Sequence, residues 1–490
     1  MWSRTRSLAE RYIYQSCKAY NDPRTFDIEG EFVRMATATD MTKEYSIPQL
    51  LRITAPSMVM VLLASIYDIV DGLFISNCVG KTAFASINLV MPFIMILASI
   101  GFMMGTGGSE VVSKARGEGN DDIANKRFSL LVYFTFAIGV VCAVLGALFM
   151  EPVSIALGAD DDMLGYCVYY GRMCMVSLPA FMLQFAFQAF FTAAGKPKLG
   201  LLFSTIAGVL HVVLDAVLIA GLSMGLEGAV ISTIASEFLG GFLPLIYFAV
   251  PNSSYFRLGK TSIEPRIIGR TCVNGSSELV TIVSDSVVAM VYNFLLMDLY
   301  GENGVAAYGA CMYLCFVFIA VFEGYNMGCA PLMSFAHGAE NKTGMADLYR
   351  KSMKIVSVFG VLMFALAEAL AGPFAFFYTG YDAELFELTE FAFRLFSVAY
   401  LICGFSMYGS SLFTSLGNGL VSGVIAFLRV FVFEMLAIIL MPQFFGAAAI
   451  WLGWTIGEVL ALGLTVFFMI YLGRGYGYLK KRDKENATAH

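Results

Sequence analysis

Twelve apolar runs dominate this chain, at residues 50–77, 84–109, 128–149, 164–190, 198–221, 228–250, 268–297, 305–332, 353–376, 386–413, 419–441 and 446–472. A helix rises about 1.5 Å per residue, so roughly 20 apolar residues cross the hydrocarbon of a bilayer. Inside that layer only helices and closed barrels satisfy their own backbone polar groups, and runs this long predict helices. Hydrophobic residues make up 58% of the chain and charged residues 14%, against about 45–50% and 25% in soluble domains. The fold class expected is therefore all-α and polytopic, with twelve transmembrane helices. Turn chemistry marks the breaks: Gly117-Glu118-Gly119-Asn120, Gly195-Lys196-Pro197, Gly301-Glu302-Asn303-Gly304 and Gly417-Asn418-Gly419.

Lys and Arg sit on one side only. The tail holds Arg4, Arg6, Arg11, Lys18, Arg24, Arg34 and Lys43. Even-numbered loops hold Lys114, Arg116, Lys126 and Arg127; Lys196 and Lys198; Arg257, Lys260, Arg266 and Arg270; and Lys342, Arg350, Lys351 and Lys354. Odd-numbered loops have little beyond Lys81 and collect acid, Asp160 to Asp162, Asp382 and Glu384. By the positive-inside rule both termini are expected in the cytoplasm of a multi-pass cell-membrane protein, and an even number of spans agrees. Residues 1–46 lack an apolar core and read as a cytoplasmic tail, not a cleavable signal, with short amphipathic helices around Leu8–Tyr20.

The chain repeats internally. Ser113-Lys-Ala-Arg-Gly117 resembles Ser334-Phe-Ala-His-Gly338, and Phe191-Thr-Ala-Ala-Gly195 resembles Phe413-Thr-Ser-Leu-Gly417. Asn120 falls on Asn341, Arg172 on Arg394 and Glu237 on Glu458, all at a spacing of 221 or 222. Six spans precede this offset and six follow, so both halves insert the same way round, related by an axis along the membrane normal. The expected divisions are a first lobe over 47–250, a connector over 251–265 that bears a hinge, a second lobe over 266–472, and a cytoplasmic C-terminal tail over 473–490. Two six-helix lobes with pseudo-two-fold symmetry are the architecture of a rocking transporter.

Ionisable residues inside spans are costly, roughly 2.5–3.5 kcal/mol each on insertion scales. The first span carries Asp68 and Asp71, three residues apart, and Pro56 weakens its hydrogen-bond ladder. Counting helix rise places Asp71, Asp215 of the fifth span and Thr233 of the sixth at one depth, roughly 8–10 Å below the outer surface. His211 lies one turn from Asp215, and Glu237 one turn from Thr233. Carboxylate and hydroxyl oxygens suit a hard cation, while an imidazole suits a proton relay. The second lobe carries Glu278 and Asp285, two turns apart on one face, as a further charge site or as partners of Arg394 or Arg429. Asp68 and Glu237 are auxiliary candidates, the latter matched across the repeat for packing as readily as for function. Ten cysteines are scattered through apolar runs without a CxxC pair, and three histidines are too few for a His-rich metal site. No P-loop or basic nucleic-acid surface is present.

IYDIVDGLFISNCVG, NLVMPF, GTGGSEVVSKARGEGN, the FTAAGKP turn and GLEGAVIST together resemble the multidrug and toxic compound extrusion (MATE) transporters over about residues 47–472. The resemblance implies secondary antiport: inward Na⁺ or H⁺ exchanged for outward movement of organic, mostly cationic, compounds. Residues carried over to the cation-coupling site are Asp71, His211, Asp215 and Thr233; for sodium the ligands would be Asp71, Asp215 and Thr233. His211 stands where relatives have Asn, which raises the odds of protons. No cofactor beyond the coupling ion, no catalytic residue and no nucleic-acid partner are expected; the partners are small organic substrates, an inorganic cation and the lipid bilayer, and a monomer is expected. Two rivals remain. A lipid or lipid-linked oligosaccharide flippase of the wider superfamily would need a basic cavity, and a membrane-embedded transferase would need a clustered catalytic constellation.

Overall fold

The computed structural model describes residues 40–79, 81–380 and 382–479; the side chains of Asp68, Ser76, Asn77, Lys81 and Phe84 lie outside the described set, as do the tail helices expected around Leu8–Tyr20. Every element among the described residues is helical. The first half comprises α1 (Ile47–Phe74, continued by a π turn Ile75–Val79), α2 (Lys81–Gly117), α3 (Asp121–Ala156), α4 (Asp161–Ala193), α5 (Pro197–Leu214, continued by a π segment Asp215–Gly221) and α6 (Leu226–Ala249). The second comprises α7 (Pro265–Gly338), α8 (Lys342–Thr379), α9 (Ala383–Ser397), α10 (Tyr400–Ser415), α11 (Gly419–Phe427), a π segment Leu428–Glu434, α12 (Met435–Phe445), a 3₁₀ turn Ala447–Leu452 and α13 (Gly453–Tyr476).

Physical length resolves these elements into twelve spans. At 1.5 Å per residue, the 74 residues of α7 would run over 100 Å, more than three bilayer cores. The helix breaks at Gly301, whose φ of 64° is left-handed, so α7 is two spans. α9 and α10 meet at 49° and form one broken span. Side chains such as Leu148, Phe294, Phe377 and Phe444 project outward, as lipid-facing residues must.

The repeat is written into the backbone. Left-handed residues recur at the same spacing: Gly119 and Glu340, Gly195 and Gly417, Gly225 and Gly446. Each ends a helix or precedes the next one. The caps follow local chemistry: Asp160 accepts from Met163 N at 2.8 Å, Asn341 from Gly344 N at 2.8 Å and Asp382 from Leu385 N at 3.0 Å.

The two halves meet most closely around the pseudo-two-fold axis. A Cβ on Gly117 would lie 2.2 Å from the Phe335 carbonyl oxygen, and one on Gly338 would lie 2.1 Å from that of Lys114. These are one contact seen from both sides of the repeat. Nearby, Arg270 Nη2 of α7 reaches Glu110 Oε1 of α2 at 2.9 Å, with the Glu110 side chain fully buried. Residues 251–264 are non-helical and follow the first half closely. Thr261 Oγ1 donates to Lys126 O at 2.7 Å, Gly259 N to Ser129 Oγ at 3.0 Å, and Lys196 Nζ lies 3.1 Å from Ser253 Oγ. Burial holds the Lys196 ammonium below its ordinary pKa.

Gly338→Leu would drive a side chain into a backbone carbonyl. It is expected to destabilise the protein by roughly 1–3 kcal/mol, seen as a lowered unfolding temperature in detergent. Gly165→Ala, at a position with no heavy atom within 4 Å of a new Cβ, is expected to leave that temperature unchanged or slightly raised.

Candidate functional site

Three helices of the first half bring their polar residues to one place. α1 delivers Asp71 in its last turn, α5 delivers His211, and the π segment begins at Asp215 itself. A π turn widens a helix and recurs at functional sites because it aims side chains that a regular ladder would misdirect. His211 Nε2 lies 3.6 Å from Asp71 Oδ1 and 3.6 Å from Asp215 Oδ2. The ligand-type atoms of these three residues all lie within 4.8 Å of one another. The ring nitrogen thus stands equidistant between two carboxylates, slightly beyond direct hydrogen-bond length.

α6 closes the site. Ser232 donates a short hydrogen bond to Asp215 Oδ1, and Asp215 is fully buried. Thr233, the hydroxyl carried over from the resemblance, faces the same cavity but donates to Ala229 O of its own helix at 2.9 Å. Ser232 escaped the sequence reading because it lies beside Thr233, and a one-residue step turns a helix position through about 100°. Asp68 lies in α1 one turn before Asp71, with its side chain outside the described set.

Asp71, His211 and Thr233 border a cavity of about 120 Å³, enough for several waters. Asp71, His211, Thr233 and Glu237 line it together. Glu237 is nine-tenths buried, with Oε2 lacking any hydrogen-bond partner. Gln184, on the same wall, also presents an unpartnered Oε1. Met60, Met91, Met95, Tyr67, Tyr170 and Phe181 supply the apolar remainder, a lining that adapts to varied apolar ligands.

The second half holds a different cluster. Arg429, in the π segment, donates from Nε to Glu458 Oε1 at 2.6 Å. Glu278, Asp285 and Glu434 lie within its electrostatic reach, as does Glu323. Glu278 and Asp285 are thus brought to Arg429 and kept apart from Arg394, which binds Glu368 and Glu390 at 2.7 Å each. Glu323 and Glu434 were legible as acids within spans but showed no spacing signal linking them to Glu278. Arg172, matched to Arg394 in sequence, faces Glu151 at 3.6 Å. Cys311 and Cys315 are packed in the apolar core of this half, and no described cysteine is in a disulfide.

The MatE family profile matches residues 56–217 and 279–440, once in each half. The multidrug export protein MepA of Staphylococcus saprophyticus is 24% identical over 434 residues, covering 87% of this chain and 93% of its own length. MepA of Staphylococcus haemolyticus is 24% identical over 372 residues, covering 76% and 81%. A crystal structure of a MATE transporter in complex with MaL6 superposes with a TM-score of 0.84 at 18% identity, covering 89% of this chain and 98% of that one. The fold is therefore that of a two-lobed, multi-pass membrane transporter. The chain belongs to the MatE family.

Ser232→Ala would strip the hydroxyl from the buried Asp215 carboxylate. A hydrogen bond to a charged group contributes roughly 1.5–3 kcal/mol, so a clear loss of thermal stability is expected. Thr233→Ala, which removes a bond to its own helix backbone, is expected to cost less in the same melting assay.

Proposed function

We propose that this protein is a secondary multidrug exporter, a transporter and not an enzyme, that couples outward movement of organic cations to inward movement of protons. The observation that carries the proton reading is the position of His211. Its Nε2 lies 3.6 Å from a carboxylate oxygen of each of Asp71 and Asp215, so the third ligand-type atom of this cluster is a nitrogen. Sodium wants hard oxygen ligands, and an imidazole nitrogen is a poor one. A proton placed on the ring gives a resident cation between Asp71 and Asp215, and its release leaves negative charge that must be neutralised from elsewhere. Charging and discharging this triad changes how α1 packs on α5 and α6. We infer that this biases the two lobes between outward- and inward-open arrangements, as rocking about a pseudo-two-fold axis allows. Both termini face the cytoplasm in this reading, in keeping with the distribution of Lys and Arg. The names of the MepA relatives support multidrug cargo, and the acidic, Met- and aromatic-lined cavity supports cationic cargo.

Purified protein in liposomes provides the test. Efflux of a fluorescent cation such as ethidium is expected under an imposed pH gradient and absent under a sodium gradient alone. Sodium-driven efflux with no response to pH would overturn the coupling assignment. Asp71→Asn is expected to abolish efflux with expression intact. His211→Asn, which supplies a carbonyl oxygen in place of the ring, is expected to make efflux sodium-dependent.

A further inference from the structure

The two halves treat one glutamate differently. Glu237 lies eleven residues after Leu226, which opens α6, and Glu458 lies eleven after Ala447, which opens the matching span. Left-handed Gly225 and Gly446 immediately precede these two starts. In the second half, Glu458 is held by the Arg429 guanidinium at 2.6 Å. Arg429 lies ten residues after Gly419, the first residue of α11; the residue ten after Pro197, the first of α5, is Ala207. Ala207 lines the cavity that Glu237 faces. Where one half carries an arginine, the other carries only a methyl group on the wall of the cavity that its glutamate also lines.

Hydrogen-bond accounting says what that space wants. Glu237 is 9% exposed, and its Oε2 has no partner. Ser177 approaches the same carboxylate from one side. Gln184 Oε1, buried on the same wall, is a second acceptor without a donor. Unmet buried acceptors are costly, and a planar cation with several N–H groups satisfies two at once. We propose that Glu237 is the cargo-binding carboxylate of the first lobe, taking a guanidinium or amidinium group in the space that the arginine counterpart fills in the second. Arg429 on Glu458 is the resident image of that complex. Aromatic and Met side chains of the cavity take the apolar remainder of such a ligand. This assignment rests on the exporter reading for the identity of the cargo, but not on which ion drives transport.

The test is equilibrium binding to the purified full chain in detergent, with no gradient imposed. Three probes are used: benzylguanidine; benzylurea, its neutral counterpart; and tetraphenylphosphonium, a cation with no N–H donor. Wild type is expected to prefer benzylguanidine over benzylurea by about tenfold or more, the scale of a charge-assisted hydrogen bond. Glu237→Gln is expected to weaken benzylguanidine roughly ten- to a hundredfold. The ratio of benzylguanidine to tetraphenylphosphonium affinity should fall with it, which a merely structural role would not produce. Ala207→Arg is expected to fill the space with its own guanidinium and abolish benzylguanidine binding. Glu237→Asp, with the charge kept but withdrawn, gives an intermediate loss and serves if the glutamine variant does not stay monodisperse. The proposal is overturned if wild type does not prefer benzylguanidine, if Glu237→Gln affects both cations equally, or if Ala207→Arg still binds benzylguanidine as wild type does. If the binding pattern holds while liposomes show no proton-driven efflux, the coupling assignment falls and this one stands.

Discussion

A carboxylate inside a dehydrated helix bundle must find a positive partner or a set of donors, because hydrocarbon offers neither. That requirement organises the interior of both lobes. In the first, one imidazole lies 3.6 Å from both Asp71 and Asp215, and the Ser232 hydroxyl donates to the more deeply buried acid. In the second, one guanidinium serves Glu458 directly and four further acids through space. An imidazole gains and loses a proton near neutrality, whereas a guanidinium never does. The lobes share a repeated scaffold, but one sets an imidazole among its acids and the other a guanidinium.

The scaffold that holds these charges keeps the repeat in its turns, although α4 runs unbroken where α9 and α10 meet at 49°. The backbone turns recur at fixed spacing, and the lobes touch through the mirrored contacts of Gly117 and Gly338. A contact in which a helix meets a carbonyl with no side chain between them has no slack. The connector expected over 251–265 to bear a hinge is laced to the first half through Lys126, Ser129 and Lys196.

The π segments sit where the charges are. One opens at Asp215 and another spans Arg429 and Glu434. Each inserts an extra residue into the ladder and rotates the following turn, which lets a charged side chain aim inward from a helix otherwise apolar all round. A helix wheel drawn at 3.6 residues per turn misplaces everything beyond such a point. That is why Glu434 could not be assigned from spacing, while Asp71, His211 and Asp215, which precede or open the segments, could.

The sequence by itself determined the number of spans, the two-fold repeat and the presence of costly acids within the membrane. Each of these follows from local quantities: the length of an apolar run, the spacing of like motifs, the identity of a residue. Tertiary structure alone decided which acids share a partner. It set His211 beside the carboxylates of Asp71 and Asp215, gave Arg429 to Glu458, Arg394 to Glu368 and Glu390, and left Glu237 and Ala207 lining one cavity. Those choices depend on helix rotation and on a few ångströms of separation between segments a hundred or more residues apart, and electrostatic energy in a low-dielectric interior changes most steeply over that range.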